Sequence, residues 1–133
     1  SAAHQAHATA LGAVWTGSPL ATPPHKLDAA INFTPSGAVT LEALRVLERG
    51  GTVAVAGIHS SAIPSFDYNL LYGERQLRSV TNATRQDAEE LLALAAQIPL
   101  QTDVEVFTLL EANQALRRLK RSQITGAAVL QCS

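Results

Sequence analysis

The feature that most constrains the fold is the segment Gly-Gly-Thr-Val-Ala-Val-Ala-Gly-Ile at residues 50–58. Residues 53–56 are all apolar and do not alternate with polar residues, which is typical of a strand buried on both faces of a parallel sheet. A sheet of this kind is covered by helices on both of its sides. The segment therefore predicts an α/β fold in which this strand is central.

Patterns elsewhere in the chain predict the other helices and strands. Apolar positions at helical spacing predict a helix at residues 39–47, and Gly50-Gly51 is expected to end it. Pro99 is expected to end a later helix. Predicted strands occupy residues 27–33, 50–58, 76–80, 104–107 and 126–130, and predicted helices occupy residues 2–11, 39–47, 86–97 and 110–121. This order favours a partial parallel sheet with flanking helices, followed by a C-terminal α+β segment.

Gly57 follows the central strand at the position where open α/β sheets bind their ligands. Because glycine has no side chain, a flat ligand group can approach the backbone closely at this point. The alternative interpretation is that Gly57 only lets the chain turn, and the sequence leaves both interpretations open.

Length and composition indicate one globular domain with part of a second. The 133 residues are 47% hydrophobic, which is enough to build a core without a disulfide or a metal. The net charge of −1 and the lack of a basic stripe make nucleic acid an unexpected partner. No apolar run approaches ~18 residues and no signal-peptide pattern is present, so no membrane association is expected. Cys132 is the only cysteine, which favours a reducing, cytoplasmic location.

The histidines and serines do not form a convincing reactive group. His4 and His7 are three residues apart on a predicted helix and could present two imidazoles to a metal, but no third ligand is near in sequence. His59 precedes Ser60 and Ser61, but adjacent residues of an extended chain point to opposite faces. We therefore expect no catalytic residue and no metal ligand in this chain.

The connection at residues 59–72 is unusually apolar for an irregular segment. Apolar groups of this number need a cover, either from this chain or from a partner. The strand predicted at residues 76–80 would also leave an unpaired edge. A second copy of the chain would cover both, which predicts a homodimer. The apolar residues of the connection are Ile63, Phe66, Tyr68, Leu70, Leu71 and Tyr72.

Four stretches together carry a family resemblance. Their sequences are LGA at residues 11–13, LDAAINFTPSG at 27–37, LEALRVLERGGTVAVAGI at 41–58 and EANQALRRLKRSQITGAAVL at 111–130. In this order and spacing they resemble the carboxyl-terminal part of the medium-chain, zinc-dependent alcohol dehydrogenases. The resemblance implies a partial Rossmann domain at residues 1–80 and a returning segment of the catalytic domain at residues 81–133.

The resemblance also implies a set of ligands. It implies NAD or NADP as the cofactor, an alcohol or aldehyde as the substrate, and a dimer. In the family, the glycine-rich phosphate loop and the zinc ligands precede the part that this chain resembles. The chain is therefore expected to be a fragment that carries no zinc ligand, although zinc belongs to the full-length enzyme.

By the same resemblance, the cofactor contacts fall in three stretches. The first lies beside the riboses, the second offers backbone atoms to the nicotinamide carboxamide, and the third lies near that same group. An arginine that pairs with the cofactor pyrophosphate in many family members is replaced here by Ala127. The residues implied are Asn32, Phe33 and Thr34, then Ala56, Gly57 and Ile58, then Thr81 and Asn82.

The sequence thus predicts part of an oxidoreductase that transfers a hydride between an alcohol or aldehyde and a nicotinamide cofactor. This chain alone would supply cofactor and dimer contacts and would be inactive. One alternative is a free-standing Rossmann-like binding or interaction domain without catalysis, because a fold does not determine a function. Another alternative is a fragment of a zinc-free quinone reductase relative.

Overall fold

The computed structural model describes residues 1–98 and 100–132, so the predicted helix end at Pro99 lies outside the described residues. The chain divides into two compact units. The sheet unit is Val14–Thr84, and the terminal unit is Ser1–Ala13 together with Arg85–Ser133. In chain order the helices and strands are α1 (Ala2–Ala10), β1 (Leu27–Asn32), α2 (Gly37–Arg45), β2 (Leu47–Val55), β3 (Gln76–Ser79), α3 (Arg85–Ala95), β4 (Val104–Thr108), α4 (Ala112–Lys120) and β5 (Ala127–Gln131).

The sheet unit contains a three-stranded sheet in the order β1-β2-β3, and both strand pairs are parallel. Helix α2 connects β1 to β2 and packs against both strands. In the terminal unit, β4 and β5 form a second parallel pair, and α4 lies between them in the chain. The predicted class, α/β with parallel sheets and flanking helices, is confirmed. None of the helices in the described ranges is both long and apolar enough to cross a membrane.

The end of α2 differs from the prediction. The helix ends at Arg45, and the N–H of its C-cap residue Val46 bonds to carbonyl groups of the last turn. Gly50 and Gly51 lie inside β2, so their assignment as the stop of this helix is wrong. The helix ends earlier because Leu47 is fully buried and already belongs to the strand.

The double glycine instead lies at a bulge in β2. Leu27 pairs with Leu47, whereas Ala29 pairs with Thr52, so β2 carries extra residues between these two pairs. Gly50 lies in this excursion with φ of 76°, a left-handed conformation that glycine adopts without strain. Beyond the bulge, β2 runs to Val55, and the last three residues of the predicted strand at 50–58 follow it as a loop.

The core of the sheet unit lies on the face of the sheet that α2 covers. Leu44, Leu47 and Val53 are fully buried there, and Ala30 of β1 packs against them. Ile31 points to the opposite face, because side chains alternate along a strand, and it is 63% exposed. The predicted burial on both faces is therefore met only on the side of α2.

The connection after β2 is only partly uncovered. Leu70 and Leu71 pack against the core of the sheet unit, and Leu70 lies in a short 3₁₀ turn at Tyr68–Leu70. Of the six apolar residues predicted to need a partner, these two are therefore covered by the chain itself. The other four are exposed: Ile63, Phe66, Tyr68 and Tyr72.

The terminal unit has a smaller core. It is formed by Phe107 of β4, Ala115 of α4 and Ile124, whose exposed fractions are 6%, 5% and 5%. None of the described residues of α3 is buried, and its leucines at 91 and 92 are 58% and 71% exposed. Most of the apolar surface of α3 therefore remains in contact with solvent.

Candidate functional site

The candidate site lies at the edge of the sheet unit where the three parallel strands end. The N–H of Ala56 donates to the carbonyl of Asn32 at 2.9 Å, which joins the ends of β1 and β2. The N–H of Val80 donates to the carbonyl of Val55 at 3.0 Å, which joins the ends of β2 and β3. The residues that follow the three strands therefore emerge at one edge, and the eight residues implied by the family resemblance all belong to these stretches.

Asn32 is buried at this edge and its side chain points into the protein. Its Nδ2 donates to Oγ1 of the fully buried Thr40 in α2 at 2.9 Å. Its Oδ1 accepts hydrogen bonds from both N and Oγ1 of Thr34, each at 2.8 Å. Asn32 therefore orients Thr34 and the start of the following loop, and its own side chain is used within the protein.

Two large apolar side chains are exposed at the same edge. Phe33 is 74% exposed and Ile58 is 93% exposed. Gly57 lies close to the backbone of the neighbouring loop, since a Cβ placed there would be 3.2 Å from the carbonyl oxygen of Thr34. Bare backbone next to apolar side chains is a surface on which a flat ring can be buried.

Thr81 and Asn82 follow β3 and are both exposed. The Oδ1 atom of Asn82 accepts a hydrogen bond from the N–H of Ala83 at 2.8 Å. These two residues extend the edge beyond Val80, whose backbone is bonded to β2. The third implied stretch therefore follows β3, and β3 pairs with β2, the strand that Gly57 follows.

The described residues contain no group of three or more His, Cys, Asp and Glu side chains that could hold a metal ion. His4 is exposed on α1, and Nε2 of His7 lies 3.4 Å from Oδ2 of Asp103. A single histidine beside a single carboxylate does not supply the four ligands of a zinc site. The side chains of residues 1–98 and 100–132 therefore do not fit a bound zinc ion.

Glu105 and Glu111, two carboxylates with shifted pKa values, lie in the terminal unit. The N–H of Thr125 and the guanidinium of Arg118 lower the pKa of Glu105 below its usual value. The N–H and hydroxyl of Thr108 lower the pKa of Glu111 in the same direction. Because each shift comes from a structural hydrogen bond that favours the charged form, neither group is suited to act as a general acid.

Two residues that shape the candidate edge are not predicted by the sequence. Thr40 accepts the hydrogen bond from Asn32, eight residues away in the chain. Ser61 accepts a hydrogen bond from the N–H of Gly37, 24 residues away. Threonine and serine are common in helices and loops, so no local pattern marks either residue.

No protein-family model matches the chain. The protein named probable alcohol dehydrogenase AdhA of Mycobacterium tuberculosis is 45% identical over 121 residues, which cover 90% of this chain and 35% of the relative. A solved NAD-dependent alcohol dehydrogenase matches 100% of this chain and 42% of its own, with a TM-score of 0.77 and 21% identity. The E. coli K-12 protein YhdH, solved with bound NADPH, matches 100% of this chain and 45% of its own, with a TM-score of 0.73 and 19% identity.

The two structural matches have identities under one quarter, so they show the fold alone, which is the Rossmann-like α/β fold. The sequence match shows that the chain is also related in sequence to proteins named alcohol dehydrogenases. It extends over almost all of this chain but over only a part of each relative. The chain is therefore a relative of the alcohol dehydrogenases, and it spans about a third of the length of the curated relatives it matches.

Proposed function

We propose that this chain is part of an NAD(P)-dependent alcohol dehydrogenase and supplies the surface that holds the nicotinamide end of the cofactor. One observation carries the proposal: three stretches that follow parallel strands emerge at one edge, where Phe33 and Ile58 are exposed beside the bare backbone of Gly57. Open α/β sheets bind their ligands at this edge. The 45% identity to the M. tuberculosis protein supports the reaction class.

The residues of this edge would hold and orient the cofactor. Gly57 is half-buried, and a Cβ placed on it would lie against the carbonyl oxygens of Thr34 and His59. A flat group would lie beside this backbone, where the apolar side chains of Phe33 and Ile58 would exclude water from one side of it. Thr34 is held in place by Asn32, so this part of the surface is formed before any ligand binds. A nicotinamide cofactor, when bound, exchanges a hydride with an alcohol or aldehyde. The described residues supply no zinc site, so no metal step is assigned to this chain.

The proposal is tested by NMR titration of the ¹⁵N-labelled chain with NADH and NADPH up to millimolar concentrations. We expect the largest amide shifts at residues 33–34, 56–58 and 81–82. Ile58→Ser should weaken binding roughly five- to twentyfold, because the ring would no longer bury this side chain. Leu110→Ser is the matched control, since Leu110 is 96% exposed and lies in the terminal unit. Shifts confined to other residues, or equal affinity in the Ile58 variant, would contradict the site.

The reaction class needs a second experiment. A chimera in which this chain replaces the matching third of the M. tuberculosis relative should reduce NAD or NADP when an alcohol is added, as read from nicotinamide absorbance. The unaltered relative is the control. Cofactor binding by the chimera without turnover of any alcohol would favour the alternative of a binding domain. Turnover of a quinone in place of an alcohol would favour the quinone reductase alternative.

We infer that the two compact units correspond to the two predicted domains, except for residues 1–13, which the prediction assigned to the first domain. The sheet unit would belong to the cofactor-binding domain, and the terminal unit would belong to the catalytic domain. The boundary between the two units falls after Thr84, and residues 1–13 belong to the same unit as the C-terminal part of the chain. Limited proteolysis is expected to cut first near residue 84, and protection of this connection would count against the assignment.

A homodimer is proposed as well, on a separate observation. β3 lies at the end of the sheet order, so it presents an edge, and the neighbouring rings of Tyr68 and Tyr72 are 70% and 63% exposed. These two rings lie 5.8 Å apart between centroids and form an aromatic patch. A second copy of this chain would cover the edge and the patch together.

Sedimentation equilibrium at micromolar concentration tests the homodimer. Tyr68→Asp should shift the chain to a monomer, because it places a charge in the contact. Phe33→Asp is the matched control, since Phe33 is 74% exposed and lies at the candidate cofactor edge. Leu71 is a poor probe, because it packs against the core of the sheet unit. A monomeric wild-type chain, or equal dimerisation of the Tyr68 variant, would refute the contact.

A further inference from the structure

The loop that follows β2 is tied to the start of α2 by Ser61. The N–H of Gly37, the first residue of α2, donates to Oγ of Ser61 at 3.0 Å. The N–H of Ser61 donates in turn to the carbonyl of Pro35 at 3.1 Å. Pro35 belongs to the connection between β1 and α2, and Gly37 begins α2, so a single serine ties the loop after β2 to the end of this connection.

The backbones of the two loops are in direct contact at this point. Gly37 is buried, and a Cβ placed on it would lie against the carbonyl oxygen of Ala62 and 2.8 Å from Cα of Ile63. Glycine at this position therefore allows the second loop to cross directly over the first residue of α2. Ser61 lies immediately before this crossing.

The hydroxyl of Ser61 satisfies a group that α2 cannot satisfy. The first N–H groups of a helix have no acceptor within the helix. The side chain of the N-cap residue Ser36 accepts from the N–H of Val39 at 3.4 Å, which leaves Gly37 to another partner. Ser61 is itself exposed, so its hydroxyl contributes this hydrogen bond and little buried surface.

The first part of the loop after β2, residues 56–61, is consequently held at both ends. At its start, the N–H of Ala56 is bonded to the carbonyl of Asn32, and Ser61 holds its far end. Gly57 and Ile58 lie between these two attachments. A short segment that is fixed at both ends samples fewer conformations than a segment fixed at one end.

We infer that Ser61 is a positioning residue for the cofactor site, and this inference rests on the function proposed above. Ser61 holds Gly57 and Ile58 in register with Phe33 and Thr34, so that the two loops present one preformed surface. Without its hydroxyl, the loop must be ordered when the cofactor binds, and this ordering weakens the affinity. Ser61 acts as a hydrogen-bond acceptor in this role and not as a nucleophile.

The experiment compares Ser61→Ala, Ser61→Thr and Ser60→Ala in the full chain. Ser61→Ala should weaken NADH binding about threefold to tenfold, which is the effect of one hydrogen bond. Ser61→Thr keeps the hydroxyl and should restore the affinity. Ser60→Ala is the matched control, because the hydroxyl of Ser60 only donates to the adjacent carbonyl of Ser61 at 3.0 Å. ¹⁵N relaxation should show lower order parameters at Gly57 and Ile58 in free Ser61→Ala, with recovery on saturation with NADH.

The outcomes separate this inference from the proposed function. Equal NADH affinity in Ser61→Ala and wild type would overturn the role of Ser61 and leave the proposed cofactor site intact. A wild-type chain that does not bind NADH would overturn both. Hydrogen exchange of the Gly37 amide in the free wild-type chain gives a test that needs no variant. Slow exchange supports the tie between the loops, and exchange at the rate of an exposed amide would overturn it.

Discussion

The two units of the chain are stabilised in different ways. The sheet unit has a core in which Leu44, Leu47 and Val53 are fully buried. Among the described residues of the terminal unit, three form the buried core, one of which is the small Ala115, and each keeps a few per cent of its surface exposed. Burial of apolar surface scales with the area removed from water, so the sheet unit gains more from it.

The terminal unit also contains a charged side chain that has several partners. Nη2 of Arg118 lies 2.6 Å from Oε2 of Glu105 and donates to the carbonyl of Gln123 at 2.9 Å. The guanidinium also lies 5.4 Å from the centre of the Phe107 ring. One residue of α4 is therefore connected to β4 and to the segment before β5. The stability of a unit that contains this ion pair should depend on pH, whereas the stability of an apolar core should not.

The largest effect that would test this comparison is expected from Leu44→Ala. Removing a fully buried leucine side chain should cost about 2–5 kcal/mol, through lost transfer free energy and the cavity that remains. Native-state hydrogen exchange measures this loss on the amides of the sheet unit separately from those of the terminal unit. The matched control is Leu116→Ala on α4, where the leucine is 63% exposed. Equal losses for the two variants would disprove the difference between the cores.

An intermediate effect is expected from replacing two glycines, one in each unit, whose φ angles are similar. Gly50 has φ of 76° and Gly126 has φ of 78°. A Cβ on Gly50 meets nothing within 4 Å, so Gly50→Ala should cost only about 1–2 kcal/mol of conformational strain. A Cβ on Gly126 would press on the carbonyl oxygen of Asp103 and lie 2.7 Å from its carbon. Gly126→Ala should therefore cost more.

The two glycine variants should also differ in which strands lose protection from hydrogen exchange. Ala127 begins β5, and its N–H bonds to the same carbonyl of Asp103 at 2.9 Å. Gly126→Ala should therefore expose the amides of β4 and β5 to exchange, while Gly50→Ala leaves them protected. Thermal melts of both variants give the overall cost. If Gly50→Ala proved the more damaging change, the steric argument at Gly126 would be refuted.

The smallest of the three effects is expected from pH. The pKa of Glu105 is lowered in the folded state, chiefly by the N–H of Thr125 and then by Arg118. The folded state therefore binds this proton less readily than the unfolded chain, so the charged carboxylate stabilises the terminal unit above the ordinary value of 4.5. This contribution is lost as the pH falls through the lowered pKa.

Glu105→Gln should consequently destabilise the terminal unit at neutral pH and change its stability little at the acidic end. Urea titrations at a series of pH values, read by terminal-unit amides, measure this difference. Glu48→Gln in β2 is the control, since Glu48 is exposed in the sheet unit. A difference between Glu105→Gln and wild type that grows on acidification would reverse the expected sign and refute the assignment.

The order and type of the elements could be predicted from the sequence because these depend on neighbouring residues. The apolar run at 53–56 predicted the central strand, and helical spacing predicted α2 and α4 close to their observed ends. At the candidate edge, only Gly57 was predicted from the end of a strand. The full set of three stretches was implied by the family resemblance.

Tertiary packing decided the features that join distant parts of the chain. The double glycine of β2 lies at a bulge that follows the buried Leu47, and helical spacing does not encode this pairing of strands. The basic residues at the end of α4 match the helix dipole, but only the fold brings Arg118 to Glu105. The hydroxyl of Ser61 accepts a hydrogen bond from the N–H of Gly37, which lies 24 residues away in the chain. Periodicity reports which side of an element is apolar, whereas these partners are chosen by how the elements pack in space.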